Sequence, residues 1–166
     1  MENNLLICGA GGFGHVVKEI AEESGDFDKI AFLDDCSPLA IGKLADVEKF
    51  RGEYAYAAVA IGKSDVREDI FSRVKAVGYA LPPIVSRKAY VSKTAKLGDG
   101  VIVEPLAVVN TAAEIEEGTF ICVGAIVDHN GKVGRFSTLQ SGCAVAANAV
   151  VPEKTVVDYN KAYTNR

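Results

Sequence analysis

From Val85 onward an aliphatic side chain returns at every sixth position: Val85, Val91, Leu97, Val103, Val109, Ile115, Ile121, Val127, Val133, Leu139, Val145, Val151 and Val157. Ile, Leu and Val fill about three in ten positions of this stretch, so a run this long has a chance frequency on the order of 10⁻⁷ in one frame. A second column, four residues after the first, is nearly all small: Ala89, Ala95, Val101, Ala107, Ala113, Thr119, Ala125, Gly131, Ser137, Cys143, Ala149. The position just after each aliphatic favours Gly, Asp, Glu, Asn or Ala, as at Gly98, Glu104, Asn110, Glu116, Asp128, Gly134 and Ala146. A period of six matches no face of a helix with 3.6 residues per turn. It suits short parallel strands joined by tight corners, with the aliphatic pointing into a narrow prism and the small residue letting the chain turn. Three hexapeptides close one triangular coil, so residues 85–157 predict about four coils of a parallel β-helix. Helices with this repeat coil left-handed, against the usual hand of parallel crossovers.

The front of the chain obeys a different rule. Asn4 to Cys8 reads as a buried strand, followed by Gly9-Ala10-Gly11-Gly12-Phe13-Gly14 and a helix to about Ser24 with Val16, Val17, Ile20 and Ala21 on one face. Ile30–Leu33 is a second strand ending in Asp34-Asp35, and Ala57–Ile61 a third ending in Gly62. A helix from about Ser64 to Val77 follows, with Ser64 as N-cap and Arg67 near its start. Tyr79–Leu81 reads as a last short strand before Pro82-Pro83. Strands alternating with helices predict a small parallel α/β sheet of the Rossmann type. The predicted domains are therefore 1–82, Rossmann-like and nucleotide-sugar-binding, and 83–166, an all-β left-handed β-helix.

Glycines between a strand and a helix let backbone N–H groups approach a phosphate. Asp34, about twenty residues beyond the last of them, is placed to accept a ribose hydroxyl or a base N–H. That pattern also fits NAD, but some eighty residues are half of a full dinucleotide fold, and a β-helix offers no hydride-transfer site. The net charge of −4, with Lys and Arg scattered, argues against nucleic acid. No apolar run approaches the length of a membrane span, and the first residues lack the pattern of a signal peptide. The four cysteines, Cys8, Cys36, Cys122 and Cys143, include no C-x-x-C pair and read as free thiols of a reducing cytoplasm. A zinc site is not expected, because the repeat holds a single histidine, His129.

The combination resembles the bacterial sialic acid and nucleotide-sugar O- or N-acetyltransferases, in which a Rossmann-like domain precedes a left-handed β-helix. The matching pieces are Gly9-Ala10-Gly11-Gly12, Phe32-Leu33-Asp34-Asp35, Ala60-Ile61-Gly62 with Arg67, and Val127-Asp128-His129. The resemblance implies an acetyl-CoA-dependent transfer to a sugar or nucleotide-sugar in a cytoplasmic homotrimer, without a metal. It implies His129 as general base, oriented by Asp128 or Asn130. It implies Gly11, Gly12, Phe13, Asp34, Asp35, Gly62 and Arg67 on the substrate, and Thr138 and Gly142 beside the acyl donor. The trimer would cover outward apolar residues such as Val108, Phe120 and Ile126. Family members usually carry Asp or Glu where this chain has Asn130, and many carry histidine where it has Phe13 and Thr138. The repeat is expected to stop near Val157, with Asp158 to Arg166 a polar tail. A second reading therefore stands beside the enzyme: a non-catalytic trimer that binds nucleotide-sugars or acts as a scaffold.

Overall fold

The computed structural model describes residues 3–165, and its contacts divide between Ile84 and Val85 into two units. In the front unit β1 (Asn4–Cys8) is followed by α1 (Gly12–Ser24), β2 (Lys29–Leu33), β3 (Ala40–Gly42), a 3₁₀ segment over Leu44–Phe50, β4 (Tyr56–Val59) and α2 (Ser64–Ala76). The sheet runs β3-β2-β1-β4, all parallel. β1 is paired on both sides, and all five of its residues are buried, as its apolar run Leu5–Cys8 demands. α1 buries Gly14, Val17, Ile20 and Ala21, the stripe of a helix that lies on a sheet.

Several details depart from the reading of the sequence. β3 and the 3₁₀ segment are additions; their stretch has no apolar period, and only Val47 of the 3₁₀ segment is buried. Lys63, not Ser64, occupies the N-cap of α2; Ser64 is already helical, and no side-chain bond caps the end. The strand expected at Tyr79–Leu81 is reduced to a single bridge between Ala80 and Tyr56. Pro82 and Pro83 have no N–H with which to extend the ladder.

The rear unit is the left-handed β-helix. Its two-residue strands stack into three faces, each strand pairing with the one eighteen residues on. The first face holds Ile84–Val85, Ile102–Val103, Phe120–Ile121, Thr138–Leu139 and Val156–Val157. The second holds Tyr90–Val91, Val108–Val109, Ile126–Val127, Ala144–Val145 and Ala162–Tyr163. The third holds Lys96–Leu97, Glu114–Ile115, Lys132–Val133 and Val150–Val151. The aliphatic column lines the interior: Val103 to Val157 form the buried core, and Val85, Val91 and Leu97 pack against it half-buried.

The corners work differently from the expectation. From Gly100 to Asn160 every sixth residue has a positive φ, and only Gly100, Gly118, Gly124 and Gly142 of these eleven are glycine. The turn is made by this residue, one place before the small column. The small side chains, Val101 to Ala149, point inward and are small because the corner of the prism is narrow. The expected polar tail is instead a continuation of the coil. Ala162–Tyr163 pairs with Ala144–Val145, and Val150 N–H donates to Asn165 O at 2.9 Å. The ladder needs only backbone groups, so it continues after Tyr163 replaces the aliphatic. Phe120 is also not an exposed residue: it is 1% exposed, in a row with buried Ile102 and Thr138.

Candidate functional site

Two groups of side chains stand apart from those the fold itself requires. The first lies at the carboxyl ends of the front strands, where open α/β sheets bind ligands. Gly9 has φ +108°, and a Cβ there would sit 2.8 Å from Ala60 O; a Cβ on Gly14 would run into Gly9 O. The fold demands those two glycines. Gly11 and Gly12 are different: an added Cβ meets nothing within 4 Å at either, and neither has a positive φ. The packing of this chain leaves their lack of a side chain unused, as a loop that admits a ligand to its backbone would.

Asp34 closes that loop from the end of β2. Its Oδ2 accepts Ala10 N–H at 2.8 Å, and its Oδ1 accepts the N–H groups of Cys36 and Ser37, each at 2.9 Å. These bonds, Ala10 foremost, hold its carboxyl below the usual carboxylate range. Asp34 thus ties the glycine loop to the following turn. Asp35 is exposed and accepts Leu44 N–H through Oδ1 at 3.1 Å. Gly62 is exposed at the end of β4 and Phe13 half-buried in the first turn of α1. Arg67, expected on the substrate, is instead 0% exposed. Its Nη1 donates to Ile61 O at 2.8 Å and Gly62 O at 2.9 Å, so it fastens the loop from beneath.

The second group sits at a corner of the β-helix. His129 lies between the second and third faces, exposed, two residues after buried Val127. Asn130 Nδ2 is 3.0 Å from His129 Nδ1, and Nε2 has no hydrogen-bond partner among the described residues. Asn130 holds the left-handed corner with φ 55°, a conformation asparagine tolerates better than most residues. Rotating its amide turns oxygen rather than nitrogen toward the ring. Nδ1 then donates to that oxygen, and Nε2 keeps its lone pair.

Asp128 does not touch the ring. Its Oδ1 accepts His129 N–H at 2.7 Å and Asn110 Nδ2 at 3.1 Å. Asn110 makes the same bond to Thr111 N–H and Asp158 to Tyr159 N–H, at 2.7 and 2.8 Å. Asp128 thus fixes the corner rather than the imidazole, and Asn110, one coil below, fixes Asp128. The sequence reading missed Asn110; its signal was the spacing of eighteen residues. Thr138 and Gly142 lie on the first face and at its corner with the second, not at the corner of His129. A cleft of about 430 Å³ along the third face, lined by Lys96, Glu114 and Arg135 among others, includes neither His129 nor the glycine loop. No group of three metal-ligating side chains occurs among the described residues, and no helix among them is long and apolar enough to cross a membrane.

Residues 4–74 match the profile of the PglD N-terminal domain. Over both units the chain is similar to the acetyltransferase domain of PglB from Neisseria gonorrhoeae FA1090 in complex with acetyl coenzyme A. The identity is 27%, the TM-score 0.95, and the match covers 99% of this chain and 83% of that one. Over both units the chain is thus similar to the bacterial hexapeptide-repeat acetyltransferases that act on nucleotide-linked sugars. That likeness supports an acyltransferase. Two more distant structures share the fold. PerB from Caulobacter crescentus, in complex with CoA and GDP-perosamine, is 22% identical with a TM-score of 0.73, over 97% of this chain and 91% of that one. WeeI from Acinetobacter baumannii AYE is 17% identical with a TM-score of 0.59, over 94% and 96%.

Proposed function

We propose that this protein moves an acetyl group from acetyl-CoA to an amine or hydroxyl of a nucleotide-linked sugar, with His129 as the general base. The observation that carries this reading is the state of the His129 ring: Nδ1 is engaged by Asn130, while Nε2 is open on an exposed corner. In the reaction the acceptor nitrogen or oxygen attacks the thioester carbonyl carbon as Nε2 removes its proton. The tetrahedral intermediate collapses, the C–S bond breaks, and the imidazolium returns the proton to the CoA thiolate. An imidazole can both accept and return a proton, which suits both transfers. Asn130 orients the ring through its amide oxygen but brings no charge to the imidazolium.

In this reading the backbone of Gly11 and Gly12 meets the diphosphate and Asp35 an N–H or hydroxyl of the nucleoside, with Phe13 and Gly62 beside them. Asp34 and Arg67 shape that loop. Gly142 faces the acyl donor from another subunit of a homotrimer formed through the second face, with the buried Thr138 behind it. Dependence on acetyl-CoA is consistent with a cytoplasmic enzyme that needs no metal.

The test is release of CoA thiol from acetyl-CoA with a panel of UDP-, CMP- and GDP-linked sugars. His129→Ala is expected to lower kcat by about 10²–10⁴ while acetyl-CoA binding by calorimetry is unchanged. An active wild type that is indifferent to His129→Ala would remove the mechanism. The amide in place of a carboxylate at Asn130 favours a second reading, a non-catalytic nucleotide-sugar-binding trimer. That protein would bind the sugar nucleotides, release no thiol, and gain activity in Asn130→Asp combined with Thr138→His.

A further inference from the structure

The three faces of the β-helix present unlike surfaces. On the first, Ile102, Phe120 and Thr138 are buried within the single chain. The third is charged: Glu114 stands 3.4 Å from Lys96 Nζ and 3.5 Å from Lys132 Nζ. The second carries Tyr90, Val108, Ile126, Ala144 and Ala162 outward, without a charge. Tyr90 and Ile126 are 58% and 41% exposed, and the apolar surface continues onto the adjoining corner through Leu106 and Val123. The other two faces expose one valine each, Val156 on the first and Val150 on the third, so the second has the most apolar surface to cover.

Its two long edges differ. The edge toward the third face bears His129. The edge toward the first face bears Glu104, and that carboxylate is unusual. Glu104 is 6% exposed, and its Oε2 accepts Val123 N–H at 3.0 Å. Its Oε1 has no hydrogen bond, and neither oxygen has a Lys or Arg partner, among the described residues. A buried carboxylate with unused acceptors is costly unless a further group satisfies it; burial pushes its carboxyl above the usual range.

A closed ring of three copies that turns one face inward joins unlike edges. The His129 edge of each copy meets the Glu104 edge of the next. With the prisms parallel to the ring axis, coil levels match across the contact. The corner level with His129, in the same coil, is Cys122–Val123–Gly124. Glu104 belongs to the coil below, but its bond to Val123 lifts its carboxylate to that level. One edge of the face thus offers an imidazole with an open Nε2, and the other a carboxylate with an open Oε1.

We propose that Glu104 of one copy faces His129 of the neighbouring copy across the subunit cleft and supplies the carboxylate that Asn130 does not. Resting on the acetyl-transfer reading above, this makes Glu104 a positioning residue. It steadies the imidazolium formed when Nε2 takes the acceptor's proton, and no site is complete within one chain.

Mixed assembly tests this. Glu104→Gln keeps the bond to Val123 N–H and is expected to leave the trimer intact by sedimentation, to leave KM for acetyl-CoA unchanged and to lower kcat about tenfold or more. Glu104→Gln and His129→Ala chains are then co-expressed in equal amounts. Random trimers unite an intact His129 with an intact neighbouring Glu104 at about a quarter of the sites, so about a quarter of wild-type activity returns. If both residues act within one chain, no more than half of the Glu104→Gln activity is seen. That result overturns the proposal, as does wild-type kcat in Glu104→Gln or a stable monomer at micromolar concentration. Full activity of His129→Ala alone would instead sink the acetyl-transfer mechanism itself. Glu104→Met, which fills similar space without a carboxylate, goes through the same mixing if Glu104→Gln fails to assemble.

Discussion

Gly12→Ala and Gly14→Ala are one methyl group each, two residues apart, and are expected to act in opposite directions. Gly14 packs so closely that an added Cβ would overlap Gly9 O. β1 and α1 must then separate, and overpacking of this kind costs roughly 1–3 kcal/mol or more. Gly12 opens α1 in ordinary helical backbone, and its Cβ would meet nothing within 4 Å. Replacing glycine by alanine at a compatible position stabilises by about 0.4–1 kcal/mol through the unfolded chain. For a chain of this size that is a rise of about 1–4 °C in Tm. The same methyl stands beside the N–H groups that the nucleotide diphosphate is proposed to approach at about 2.9 Å. A loss of about tenfold in nucleotide-sugar affinity is expected, or about 1.4 kcal/mol. Thermal melting and titration calorimetry on the two variants decide the matter. Gly12→Ala that binds as tightly as wild type, or that melts lower, would refute the argument that this glycine serves a ligand.

Ile121 is 0% exposed in the core of the β-helix, so Ile121→Ala should cost about 2–5 kcal/mol in urea denaturation; a cost below about 1 kcal/mol would mean the column is not the core. Asp34 is held below the usual carboxylate range by the N–H groups of Ala10, Cys36 and Ser37. Its contribution to stability is complete above the unfolded value of about 3.9 and is lost as pH falls through the folded one. Wild type should therefore lose more stability than Asp34→Asn as pH is lowered through that window, and parallel losses would contradict the tie between the loops.

What the sequence determined by itself was whatever repeats locally. The aliphatic column is legible because the pleat and the corner return every six residues, and thirteen repetitions leave no other period. The strand, glycine loop and helix at the start are legible because each is a property of neighbouring residues. The corner residues were not legible. Leu106, Phe136 and Lys154 adopt the same left-handed turn as Gly118 and Gly124, since the stacked ladder imposes the turn and side-chain type does not announce it. The continuation past Val157 was hidden for the same reason: backbone groups pair whatever residue carries them. Arg67 looks like a surface cation in sequence, and only the packing shows it buried beneath the loop it holds. Asn110 meets Asp128, and Glu104 meets Val123, across eighteen and nineteen positions. Such contacts exist only once one coil lies on another, so the corner carrying His129, with its supports, is a product of the stacking and not of any local stretch of chain.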